Sequence, residues 1–337
     1  MNLGRLSFLA ILAACGLAGC SKSVSPEAAV NAARVPDANI VQYVNVAKIA
    51  GAPFAKHVQA FVEKTKAAQG DDAGMFEGLD AFLAALKAEK LSIADIKSIS
   101  ISAAFTEDSP EPEALAAILL NKPVTAATLK KLLLASPIPF EEEDIVVDGN
   151  ALRFTKGSAQ AVFAANGRVL IVGPEELAQA AVARAASGKR ASDLPAVKNL
   201  LDDKAARSDL YIVGVPPAEL MGSGMLESFI PADGPFGIPQ NVVESIQAIN
   251  GVSFSLNVTD KAAVDLSVSF SDSKSAAAVG EYLSIVAVGM AKTMVYTFTG
   301  VNFPVMESLK ASASGNTASI TCELTAKDLD LILGVME

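Results

Sequence analysis

Residues 252–270 constrain the fold more than any other part of this chain. Val252, Phe254, Leu256 and Val258 alternate with Ser253, Ser255, Asn257 and Thr259. After Asp260-Lys261 the alternation resumes through Val264, Leu266, Val268 and Phe270. A period of two belongs to an extended backbone, so the spacing predicts two strands joined by a tight turn. Ile99, Ile101 and Ala103 alternate in the same way with Ser98, Ser100 and Ser102. Sheets with one apolar and one polar face follow, with helices expected over the apolar face.

The other elements follow a repeated order. A strand over Ile40–Val46 leads into helices with apolar stripes at Phe54, Val58, Phe61 and Val62, and at Phe76, Leu79, Leu83 and Leu86. Beyond the serine-rich strand come a strand over Ala114–Leu120 and a helix capped by Thr125 that carries Leu129, Leu132 and Leu133. Asp148-Gly149-Asn150 and Asn166-Gly167 read as hairpin turns, because such pairs tolerate positive φ. A helix then opens at Pro174-Glu175-Glu176.

The second half runs through a strand at Leu210–Val215, a helix within Pro239–Ile249 and the alternating hairpin. It continues with a long helix capped at Ser271 or Ser273, a turn at Gly315-Asn316 and a last helix opening on Thr325 with Asp328 in capping-box spacing. The repeat is either true divergence of a duplicated unit or recurrence of a common β–α–β–β–α order. The expected class is α+β: two similar units, each a mainly antiparallel sheet covered by helices on one face. They span 36–190 and 209–337 with a linker over 191–208.

Chemistry-bearing motifs are sparse. His57 is the single histidine and sits beside an apolar helical stripe, with no Gly-x-Ser-x-Gly elbow to supply a nucleophile. One histidine and few cysteines make an inadequate zinc set. Asp71-Asp72 and Glu141–Asp144 lack the spacing of a calcium loop, and the latter run reads as a charged strand edge. Gly222-Ser223-Gly224 lacks the remainder of a phosphate loop. Cys322 alternates in register with Ile320 and Leu324, which makes it a packed thiol.

A formal charge of −10 disfavours nucleic acid, and the absence of Trp with only 4 Tyr disfavours glycan platforms. No catalytic, metal or cofactor site is therefore expected. The reading is a non-catalytic binding or scaffolding module, with a carrier of lipid or other apolar cargo as the alternative and a hydrolase with dispersed carboxylates as the second. One apolar, glycine-interrupted stretch, carrying Met221, Met225, Leu226, Phe229 and Phe236, is either a packed lid or the candidate contact surface for an envelope partner.

The first 19 residues have the order of a secretory leader: Arg5, an apolar run from Leu6 to Leu17, then Ala18-Gly19. Leu17-Ala18-Gly19-Cys20 resembles the lipobox of bacterial lipoproteins. The resemblance implies cleavage before Cys20, a diacylglyceryl group on its sulfur, acylation (palmitate-type) of its new amine, and attachment to a membrane. Ser21-Lys22, with no Asp after the cysteine, resembles the outer-membrane sorting pattern, facing the periplasm. Residues 20–35 then read as a lipidated tether. The body, in Pro36-Asp37-Ala38, Tyr43-Val44-Asn45-Val46 and Val169–Leu177, weakly resembles exported bacterial domains of unknown function, which implies no site. Val279–Val295 is apolar but carries Glu281 and Lys292 and falls short of the roughly 20 residues of a membrane span, so it reads as a core helix.

Overall fold

The computed structural model describes residues 25–69, 83–106, 109–135, 141–154, 159–187, 194, 197–205, 208–216 and 238–336. Helix α1 (Pro26–Ala32) precedes β1 (Ile40–Val44), α2 (Val46–Gly51), α3 (Pro53–Gln69), β2 (Ile96–Thr106), β3 (Ser109–Leu120) and α4 (Ala126–Leu134). The short strands β4 (Ile145–Asp148), β5 (Ala151–Phe154), β6 (Ala159–Ala164) and β7 (Val169–Pro174) follow, then α5 (Glu175–Ala186) and α6 (Lys198–Ala205). The second half holds β8 (Leu210–Gly214), α7 (Gln240–Ile246), β9 (Ile249–Val258), β10 (Ala262–Phe270) and α8 (Ser273–Tyr282). A π turn at Leu283–Ala287 leads to α9 (Val288–Thr299), α10 (Pro304–Ser308), β11 (Lys310–Ser314), β12 (Thr317–Leu324) and α11 (Ala326–Met336).

The class is α+β with a large antiparallel sheet. All twelve described strands join one sheet in the order β11-β12-β10-β9-β8-β1-β2-β3-β7-β6-β5-β4. The two halves meet where β1 pairs with β8, Tyr43 lying opposite Tyr211. The turns fall where the sequence places them: Gly149 and Gly315 take positive φ between paired strands. Thr125 caps α4 by accepting the Thr128 N–H at 3.2 Å.

Both faces of the sheet carry helices, and this reverses one expectation. Ser98, Ser100 and Ser102 on β2, with Ser253, Ser255 and Ser267 on β9 and β10, are buried. On the opposite face Ile212 and Leu266 are exposed at mid-sheet. The serine side lies under α1, α5 and α6, whose Ala29, Ala32, Ala178, Ala181 and Leu201 form the main core with Leu115, Ala117, Ile171 and Val213. Small serines let alanine-rich helices approach closely, and a hydroxyl can satisfy the arriving backbone: Ser102 Oγ accepts the Val35 N–H at 2.9 Å.

Two boundaries also move. Within the expected tether over 20–35, Pro26–Ala32 is a helix and Ala29, Ala32, Ala33 and Val35 are core residues. The small residues that resemble a flexible tether are the ones that let α1 pack. Arg184 of α5 fastens its end, donating from Nε to the Ala32 carbonyl at 3.1 Å and from Nη2 to the Arg34 carbonyl at 3.0 Å. Arg184→Met keeps the aliphatic stem and strands two carbonyls. A loss of about 2 kcal/mol in urea unfolding and earlier proteolytic nicking between 25 and 35 are the expected outcomes. Within the expected linker over 191–208, Leu194, Val197 and Leu201 join the same core.

Val279–Val295 is not a core helix. It belongs to a continuous helical run, Ser273–Thr299, that is long and apolar enough by length and composition to cross a membrane and is mostly unburied. Ala276 and Gly280 pack on the sheet edge, but beyond them Ile285 is 68% exposed and Phe298 80% exposed.

Candidate functional site

The site best built for a ligand is a cavity between α4 and the outer strands of the first half. β3, β5, β6 and β7 present Ile118, Leu120, Phe154, Ala161, Phe163, Leu170 and Val172 on one face, because each is an even number of residues from its strand neighbours and the ladders keep them in register. Helix α4 closes the space with Leu129, Leu132 and Leu133, one turn apart on a single face. Leu86 and Leu91 wall the remaining side.

The volume is about 270 Å³ and the wall exposes no polar surface. Ser92 and Asp95 border it with their polar atoms engaged elsewhere. Asp95 Oδ2 accepts from the Ser92 N–H at 2.9 Å and from its hydroxyl at 3.0 Å, and Lys122 Nζ lies 3.0 Å from Oδ1. The Lys122 hydrogen bond, helped by those from Ser92, holds the Asp95 carboxyl below the ordinary carboxylate range. It therefore stays charged and outward.

The roof of the cavity is positioned by Gly167. It takes φ +80°, and a Cβ there would sit 2.7 Å from the Val124 carbonyl oxygen. The Gly167 carbonyl accepts the Val124 N–H at 2.9 Å, which fixes the start of α4 on the β6–β7 turn. Thr125, Leu129, Leu132 and Leu133 were legible as a capped helix in the sequence. Their meeting with Phe154 and Val172 was not, since those strands come later in the chain.

The residues singled out from sequence fare differently. Cys20 and the Met221, Met225, Leu226, Phe229, Phe236 segment lie outside the described residues, as do Gly222-Ser223-Gly224 and Asp71-Asp72. His57 is exposed on α3. Glu142–Asp144 forms a 3-10 turn leading into β4, the last strand of the sheet, and Asp144 is buried there. Cys322 is half-buried, and burial followed by the nearby Asp328 charge pushes its thiol up, which keeps it protonated. Among the described residues, no group of three or more His, Cys, Asp or Glu is placed to hold a metal ion.

No family model matches the sequence, and no curated protein matches it. Among solved structures, crystal form III of TP0453 aligns with TM-score 0.42 at 8% identity, over 90% of this chain and 97% of that one. Crystal form I of TP0453 aligns with TM-score 0.38 at 10% identity, over 94% and 99% of the two chains.

Proposed function

We propose that this chain is a lipid-anchored, non-catalytic binding module of the bacterial envelope, and that its ligand carries an acyl chain. The observation that supports the reading is the cavity of about 270 Å³ with a wholly apolar wall. A dry apolar cavity of about 150 Å³ already takes up benzene, so this one has room for a hydrocarbon stretch. Burying eight methylenes would contribute roughly 6 kcal/mol before the cost of association. Leu129 and Leu133, with Phe154 and Val172, supply that surface without a single charge to desolvate.

The anchor at Cys20 adds a geometric consequence. α1 begins at Pro26 and is part of the core, so the free tether is six residues and spans at most about 20 Å. The body would ride against the periplasmic face of the outer membrane, within reach of its acyl chains. The duplication belongs to the same proposal. From the central pair outward, β1-β2-β3-β7-β6 and β8-β9-β10-β12-β11 follow the same course, which supports two related units sharing one sheet.

The test uses the chain from residue 20 with Cys20→Ser and cis-parinaric acid as probe. A saturable rise in its emission is expected, weakened about tenfold by Leu129→Trp, which fills the cavity. Native mass spectrometry of the same protein should show adducts of lipid mass that the Leu129→Trp form loses. A flat titration with a clean apo mass would overturn the reading.

A second reading, an adaptor for another envelope protein, draws on the exposed Ile285, Met294, Tyr296 and Phe298 beyond the π turn. Changing Met294 and Phe298 to Glu should then abolish crosslinks to a membrane partner while leaving parinaric acid binding intact.

A further inference from the structure

A second concavity opens on the opposite face of the sheet from the apolar cavity and shares no residue with it. It lies where β1 ends and β8 begins, has a volume of about 420 Å³, and is walled by Asn31, Arg34, Tyr43, Asn45, Lys48 and Tyr211. Its chemistry is donor-rich. Tyr43 and Tyr211 are cross-strand partners whose rings stack with centroids 5.3 Å apart and planes 22° from parallel. Tyr211 is only 4% exposed, yet its hydroxyl has no hydrogen-bond partner among the described residues. Burial pushes that phenol up, with the Arg34 charge near enough to oppose the shift, so it remains a donor.

Arg34 is the uncompensated charge. Among the described residues its Nε is buried without a partner and its guanidinium forms no ion pair, in a chain of net charge −10. The other charges nearby cancel. Lys48 Nζ lies 2.5 Å from Asp209 Oδ1, and the second oxygen of Asp209 accepts the Val258 N–H at 2.8 Å. The one carboxylate among the lining residues, Asp209, is thus spent, while Arg34, Tyr43 and Tyr211 line the same open volume. A buried donor left unsatisfied costs about 1–3 kcal/mol, and this cleft retains one in Arg34 Nε.

We propose that the cleft binds a phosphate-class oxyanion. A planar guanidinium fork meets two phosphate oxygens at once, and donors arriving from α1, β1, α2 and β8 suit a tetrahedral group with several acceptors. The source is either the headgroup of a membrane lipid or a free phosphate ester. The cleft borders α1, the element nearest Cys20, so both sources can reach it if the tether is short. The proposal stands apart from the acyl-chain reading and survives its failure.

Tyr43 and Tyr211 line the cleft and can report on binding without interference from Trp, which the chain lacks, while Tyr282 and Tyr296 give a constant background. The Cys20→Ser chain is titrated with inorganic phosphate, with glycerol 3-phosphate, and with phosphatidylglycerol vesicles, following tyrosine emission. A saturable change is expected with at least one probe, weakened about tenfold or more in Arg34→Gln and in Tyr211→Phe, and unaltered in the exposed Lys198→Gln. Response to vesicles alone assigns a lipid headgroup; response to glycerol 3-phosphate assigns a free ester. Tyr211→Phe keeps the stacked ring and guards against a misfolded Arg34→Gln. Absence of a saturable response to all three probes, or equal responses in the folded variants, would overturn the proposal. Parinaric acid binding in Arg34→Gln should persist, which separates this site from the apolar cavity.

Discussion

Phe270→Ala should lower stability by about 3–5 kcal/mol, read as a reduced urea midpoint with an unchanged m-value. Phe270 is the largest side chain among those fully buried. It ends β10 at a register shift, where its N–H donates to the Asn316 carbonyl at 2.8 Å. Its ring fills the space between α8 and the strands, against Ala276, Ala318, Val268 and Val279. The neighbours are small and their backbones are held: a Cβ on Gly280 would already lie 2.7 Å from the Ala313 Cβ. The site therefore cannot collapse onto the void, and the cost falls at the upper end of the range. Phe270→Leu should recover most of it. An equal loss in both variants would mean that the helix detaches as a unit, and amide exchange in α8 would show it.

Asp328→Ala is expected to cost about 3–5 kcal/mol, and Asp328→Asn nearly as much. Asp328 is 0% exposed. One of its oxygens accepts the Val305 N–H at 2.8 Å, and the other accepts the Thr325 N–H at 2.8 Å and its hydroxyl at 2.6 Å. The carboxylate thereby caps α11 and ties it to α10. Alanine leaves three donors without a partner. Asparagine turns an NH₂ toward a donor whichever way it is placed. The same substitution should release Leu329, which packs with Phe54, Val258 and Ala262, so hydrogen exchange in α11 should rise together with that in α3. A shift of less than 1 kcal/mol would mean that solvent replaces the carboxylate, contrary to its burial.

The capping box at Thr325 and Asp328 was readable from spacing alone, as were the cap at Thr125, the turns at Gly149 and Gly315, and the alternating strands 252–270. These are local features, set by a few consecutive dihedrals and by hydrogen bonds that span three residues. The apolar cavity was half legible: its helix showed a stripe, but its strand walls were assigned only as strands. The oxyanion cleft was not legible at all. Asn31 and Arg34 fell in a presumed tether, and Tyr43 and Tyr211 are brought together solely by the β1–β8 pairing. No spacing rule links residues that far apart.

By itself the sequence determined where the chain extends, turns and coils, and that its sheet would be two-faced, because a period of two is a property of the backbone. Only the tertiary structure decided which face is buried. The alternation of Ser100 with Ile101 states that the sides differ, and helix supply chooses between them. α1 and α5, rich in alanine, need a shallow surface to approach, and the serines provide one with hydroxyls to spare. The isoleucine side took fewer helices at mid-sheet, which is why Ile212 and Leu266 remain open while Ser102 lies in the core.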